Sequence, residues 1–173
     1  MIEAIQNPVI AIGLVVGGLF VLMSLARVSS KPKYVKQEYF YSKAERSFFG
    51  VLEGALDHNH RLFGKVRVAD ILTPRKSFSK SAWWKAFVKI SSKHFDYVIC
   101  DRQTLMPVAV VELDDKSHQS AKAKERDRFV DMACQQAGLP IIRFEAKARY
   151  NPGQVRAKIQ DAILITANRA KAA

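Results

Sequence analysis

The stretch HFDYVICDRQTLMPVAVVELDDKSH, His94 to His118, reads as two strands joined by a tight turn. His94–Asp101 is rich in β-branched and aromatic residues, the composition of a strand. RQTL, 102–105, is a turn. Met106–Asp115 is apolar almost without interruption until Glu112, as in a strand buried on both faces. Strands this close in sequence form a hairpin. The second one ends in charge: Glu112, Asp114, Asp115, Lys116 and His118. Carboxylates at the end of a buried strand are costly unless positive charge sits with them.

Outward from the hairpin, Ser42 is an N-cap for SKAERSFFGVLEGAL, with Ala44, Phe48, Phe49, Leu52 and Leu56 at helical spacing. Glu45 lies three positions after Ser42, as in a capping box. Gly64–Leu72 alternates and reads as a short strand running into a turn. Thr73–His94 is basic, with Trp83, Trp84 and Phe87 interleaved, and reads as a loop followed by a short helix. Ala121–Gly138 is a helix with Gly138 as its C-cap. Leu139–Ala146 is a fourth strand, and Asn151–Pro152 open a last helix. The order is α-β-β-β-α-β-α, an α/β fold on a mixed sheet.

The chain has 173 residues, 49% apolar and 25% charged, which is globular rather than disordered. Its net charge of +12 points to an anionic partner, nucleic acid or an anionic membrane face. A merely soluble basic protein is the alternative. Cys100 and Cys134 lack ligand spacing, so they read as buried thiols in a reducing compartment. From Pro8 to Ala26, nineteen residues carry no charge. That suits a transmembrane helix. A cleaved signal peptide fits less well, because only Glu3 is charged before the run and no small-x-small site follows. Arg27, Lys31, Lys33 and Lys36 follow it, so the main domain is expected in the cytoplasm, on a single-pass protein of the inner membrane. Gly13 and Gly17 form a GxxxG pair through which two copies pack as a homodimer. The organisation is then an anchor at 1–27, a basic linker at 28–41 and an α/β domain at 42–173.

Residues two apart on a strand face the same way. Glu112 and Asp114 therefore share a face, and Asp96 on the neighbouring strand reaches the same region. Three such carboxylates repel one another unless a divalent cation joins them. Mg²⁺, or Mn²⁺, is the expected ion, with Asp96, Glu112 and Asp114 as ligands. His118 is a further ligand or a proton carrier. The alternative is a solvated strand end, with Asp96 paired to Lys93 or Arg143 and His118 an ordinary loop residue.

The run AERSFFGVLEGAL, VRVADIL, KISSKHFDYVICD, VELDDKSHQ, ERDRFVDMACQQAGLPIIRF resembles an uncharacterised bacterial domain-of-unknown-function family of the PD-(D/E)xK, or restriction-endonuclease-like, superfamily. The resemblance covers roughly residues 42–165 and implies an α-β-β-β-α-β core. It implies a Mg²⁺-dependent nuclease site with Asp96 and Glu112 as the strand acids and Glu45 as the helix-one glutamate. The superfamily lysine two places after the second acid falls at Asp114. The ELDDKSH run is similar to the variant of very-short-patch-repair relatives, with Asp114 and His118 in its E-x-D and His places. Lys116 is a spatial substitute for the missing lysine. Arg126, Asp127 and Arg143 occupy site-wall or phosphate-contacting places, with an Arg126–Asp127 surface pair and a strand-end Arg143 as the alternative.

Lys80, Lys85, Lys89 and Lys93 lie in the same basic segment as the two tryptophans, ahead of the His94 strand, and with Arg126 and Arg143 are the expected contacts to nucleic acid, DNA ahead of RNA. The tryptophans either stack on a base or belong to the core with the lysines as their solvated edge. Three functions follow: a membrane-anchored Mg²⁺-dependent nuclease, a catalytically inactive nucleic-acid-binding module, and a membrane-anchored interaction scaffold.

Overall fold

The computed structural model describes residues 8–28, 33–76, 79–114 and 120–172, without the side chains of 24–28, 122 and 167–172. The chain divides into two compact units, Met1–Phe40 and Tyr41–Ala173.

The first unit contains α1, Pro8–Val28. Its apolar side chains from Val9 to Met23 are largely exposed. Among the described residues no helix is long and apolar enough to cross a membrane. The transmembrane anchor expected at 1–27 is therefore not supported by the structure. A Cβ at Gly13 or Gly17 would meet nothing within 4 Å.

The second unit is α2 (Lys43–Ala55), β1 (His60–Arg67), α3 (Val68–Ile71), α4 (Lys80–Ser91), β2 (His94–Asp101), β3 (Pro107–Asp114), α5 (Ala121–Gln136), β4 (Ile141–Glu145) and α6 (Pro152–Ala172). The sheet order is β1-β2-β3-β4. The first three strands are antiparallel, and β4 is parallel to β3. This is the expected mixed α/β sheet. The β3–β4 link is parallel because α5 carries the chain back along the sheet.

Local chemistry sets the helices. Ser42 caps α2 with the expected capping box, its hydroxyl accepting from Glu45 N at 3.2 Å while Glu45 accepts from Ser42 N at 2.8 Å. Gly138 follows α5 with φ 68, a left-handed conformation that favours glycine. The short strand running into a turn read at Gly64–Leu72 is present but starts earlier: β1 begins at His60, and the chain leaves the sheet at Val68. There the Val68 amide donates to Lys93 O at 2.8 Å and Leu72 N closes a helical turn onto Val68 O at 2.8 Å. Val68 is fully buried, so its apolar side chain serves the core from a turn and not from a strand.

Each face of the sheet has its own core. Phe48, Leu52 and Ala55 of α2, at helical spacing, pack with Val155 and Ile159 of α6 on Tyr97, Ile99, Val111 and Ile142. Val68, Ile90, Val130 and Cys134 cover Phe95, Val98, Cys100 and Val110. Both cysteines are free and buried, as expected. The strand directions bring the C-terminal ends of β1, β3 and β4 and the N-terminal end of β2 to one end of the sheet.

Candidate active site

That end carries a row of charges across four strands. Pairs Gly64↔Tyr97 and Val66↔Phe95 set Lys65 opposite Asp96. The β2–β3 register, continued one step beyond Tyr97↔Val111, sets Asp96 opposite Glu112. Glu112 in turn pairs with Arg143. The row therefore reads Lys65, Asp96, Glu112, Arg143: two carboxylates side by side with a cation at each end.

The two central carboxyls lie close enough for the charge of Asp96 to act on Glu112. Asp96 Oδ2 also accepts from Leu113 N at 2.9 Å. Burial, then the Asp96 charge, pushes the Glu112 carboxyl up to about 8, and Arg143 opposes this only in part. Burial also raises Asp96, against the Leu113 hydrogen bond and the Lys65 charge. One proton held between two carboxyls follows when adjacent like charges cannot both ionise. Two adjacent, half-buried carboxyls at the end of a sheet, one of them held well above its ordinary range, mark a candidate functional site.

The flanking cations are tied down. Arg143 donates from Nη1 to Asp114 at 2.8 Å and from Nη2 to Asp131 at 2.9 Å. Burial works against its charge, but the two aspartates outweigh this and raise its pKa. Lys65 has φ 54, which breaks the pleat, and its ammonium ion-pairs with Glu45 at the first turn of α2. Burial opposes ionisation of Glu45, yet the hydrogen bonds from Lys65 and Ser42 hold it below the ordinary range. Gly64 allows Tyr41 to lie against this strand, since a Cβ there would overlap the Tyr41 hydroxyl.

The structure therefore brings Asp96 and Glu112 together as expected, with Glu45 close enough to raise Asp96 by its charge. Asp114 shares their face but is engaged by Arg143. Arg126 and Asp127 form an exposed pair at 3.0 Å, the plainer of their two readings. Arg143 is half-buried in the row and not an isolated strand-end charge. Asp115, Lys116 and His118 lie outside the described residues. Lys65 and Asp131 were not anticipated. The GKVR run holds no signal for Lys65 until the β1–β2 register is known, and Asp131 is one of several acids on α5.

Among the described residues, no group of three or more His, Cys, Asp or Glu side chains is arranged to hold a metal ion. The Asp96–Glu112 pair fits a smaller donor set. Mg²⁺ takes one or two carboxylates and completes its shell with water and substrate phosphate, and a cation is what would allow both carboxyls to ionise.

On the basic side, Lys89 and Lys93 in and after the last turn of α4 lean on the Phe129 ring of α5, their ammonium groups 5.9 and 5.3 Å from its centroid. Lys80 and Lys85 are exposed on the same helix. All four lie on the sheet face that Asp96 and Glu112 share with Val98 and Val110.

The model of a family described as proteins of unknown function (DUF2726) matches residues 37–163. An uncharacterized protein of Haemophilus influenzae is 29% identical over 113 residues, covering 64% of this chain. The chain spans 55% of that relative's length, about half. No solved structure matches.

Proposed function

The chain belongs to this family of proteins of unknown function (DUF2726), and we propose that it is a metal-dependent nuclease of the PD-(D/E)xK kind, acting on nucleic-acid phosphodiesters. The observation that carries the reading is the row Lys65–Asp96–Glu112–Arg143, with its two adjacent carboxyls. The α-β-β-β-α-β succession of α2, the four strands and α5 supports it, as does the basic wall formed by Lys89 and Lys93.

Asp96 and Glu112 would hold Mg²⁺ or Mn²⁺, which supplies Lewis acidity at a phosphate oxygen and a bound water of lowered pKa. The chain's own groups do the rest. Arg143, fixed by Asp114 and Asp131, presents positive charge beside Glu112 for a phosphate oxygen. Lys65 holds Glu45 below its ordinary range and works against the rise at Asp96. Lys80, Lys85, Lys89 and Lys93 neutralise backbone phosphates away from the scissile bond. The direct test is Mg²⁺-dependent cleavage of DNA and RNA by the full-length protein, with Glu112→Ala beside it.

Lys65→Met is expected to lower cleavage by about tenfold near pH 7 and by less at higher pH, a loss of one positive charge beside the ligands. Its charge lowers the pKa of both Glu45 and Asp96, so removing it moves the acid limb of the pH–rate profile upward. A uniform loss at every pH would instead mark Lys65 as merely structural.

A second reading, a catalytically inactive nucleic-acid-binding module, draws on one observation. Asp114 stands where the superfamily has its lysine, and Arg143 engages it. That reading predicts binding that is indifferent to Glu112→Ala.

Membrane attachment through α1 is part of the proposal. Nineteen uncharged residues run from Pro8 to Ala26, and the described apolar side chains of α1 are exposed. A second copy packing on Gly13 and Gly17 belongs to the same proposal. The basic flank then places the α/β domain on the cytoplasmic side. Full-length protein is expected in a carbonate-washed membrane pellet, and Leu14→Lys with Leu19→Lys is expected to release it. Recovery of the unchanged protein in the supernatant would exclude attachment.

A further inference from the structure

Helix α4 presents an aromatic surface that the acid row does not use. Trp83 is held inward, its Nε1 donating to Pro74 O at 3.2 Å. Phe87 stacks on Trp83 with centroids 5.1 Å apart and planes 9° apart. Trp84 lies on Phe87 at 5.6 Å and 26°. The ring of Trp84 is thus supported from beneath, yet it is 60% exposed, and Val88 one turn on is 50% exposed. Lys80, Trp84 and Val88 follow one another at i, i+4 and i+8, so they form one stripe.

Helix α4 itself carries charge of a single sign. The helix reads KSAWWKAFVKIS and contains no acidic residue. Lys85 is exposed beside Trp84, and the cation–π contacts with Phe129 hold Lys89 and Lys93 near the C-terminal end. An apolar protein partner has no use for that many cations, and a duplex offers no open base face to a ring. A rigid, exposed indole ringed by lysines matches a single strand: aromatic rings take unpaired bases, and cations take the intervening phosphates.

We propose that Trp84 is a stacking platform for an unpaired base, and that the substrate of the acid site is single-stranded nucleic acid or a strand with an unpaired segment. This rests on the nucleic-acid reading above and adds the substrate class. The Trp84 ring receives one base, and Lys89 and Lys93 carry the strand's phosphates along the face that the acid pair shares.

The test is equilibrium binding of the full-length protein to a short oligothymidylate and to a duplex of the same length, in chelator so that nothing is cleaved. Trp84→Leu keeps apolar bulk and removes the ring; Trp84→Phe keeps a ring. Trp84→Leu is expected to weaken oligothymidylate binding about tenfold, the loss of one stacked base, with duplex binding unchanged. Trp84→Phe is expected to retain most of the affinity. Lys89→Ala with Lys93→Ala is expected to flatten the log–log salt dependence by about 0.7 per lysine, which Trp84→Leu leaves alone. Equal losses on single strand and duplex, no loss in Trp84→Leu, or Trp84-dependent binding to anionic vesicles with oligothymidylate indifferent would each overturn the proposal. A parallel assay of Mg²⁺-dependent cleavage, with Glu112→Gln as the control, separates it from the nuclease reading. Trp84-dependent binding without any cleavage leaves the platform standing alone, and cleavage that ignores Trp84 removes the platform alone.

Discussion

Glu112→Ala in the full-length protein is expected to lower Mg²⁺-dependent cleavage by at least about a thousandfold, because a bound cation supplies several kcal/mol of transition-state charge stabilisation. Asp96→Ala is expected to do the same, and the double variant little more, since the two carboxyls act as one pair. The argument is the geometry of the row. Asp96 and Glu112 are opposite one another on adjacent antiparallel strands, and the Asp96 charge helps to raise Glu112. Arg126→Ala, by contrast, removes one exposed ion pair and is expected to change cleavage by less than about threefold. Cleavage assays with equal amounts of folded protein read both effects. Full activity in Glu112→Ala would mean that the acid pair is not the site.

The second large effect is on stability. The folded-state pKa of Glu112, about 8, lies above its ordinary value of 4.5. Between those values the native protein holds a proton that the unfolded chain has already released. Stability from this group is therefore fully present below about pH 4.5, falls as pH rises, and stops falling above about pH 8. The decline is on the order of 3–5 kcal/mol, which for a chain of this size corresponds to on the order of 10 °C in Tm. Glu112→Gln cannot ionise, so its thermal midpoint in chelator is expected to stay nearly level from pH 5 to pH 8, roughly the interval between the two pKa values. Mg²⁺ is expected to stabilise the unchanged protein more at the upper end of that range, where ionised carboxylates are otherwise uncompensated, and to leave Glu112→Gln where it was. Parallel melting curves for the two proteins across this range would contradict the shared-proton pair.

Much of this site was legible in the sequence, for local reasons. The strand His94–Asp101 is bounded by residue types that favour a sheet, and the structure gives it the same limits. A strand period of two puts Glu112 and Asp114 on one face, and a short turn puts Asp96 on the adjacent strand. The Ser42–Glu45 capping box needs only four residues of sequence. What was not legible depends on pairing across the sheet. Lys65 meets Asp96 only because β1 pairs with β2 in one particular register, and its positive φ redirects a side chain that alternation alone would misplace. Arg143 meets Glu112 and Asp114 only through the parallel β3–β4 pairing, which α5 makes possible some thirty residues downstream. The start of β1 at His60 was not legible either, because it depends on the pairing of His60 with Asp101. The apolar run at Pro8–Ala26 read as a span from its length, whereas no described helix is long and apolar enough to cross a membrane.

The central claim is that Asp96 and Glu112 together take a divalent cation in exchange for the proton they share. Calorimetric titration of the full-length protein with Mn²⁺ near pH 7, in two buffers of different ionisation enthalpy, measures affinity and proton release at once. The account predicts saturable binding with about one proton released per ion, because Glu112 is still protonated below about pH 8. It predicts that Glu112→Ala binds no Mn²⁺ under the same conditions. Mn²⁺ binding to Glu112→Ala with unchanged affinity, or binding to the unchanged protein with no proton released, would contradict it.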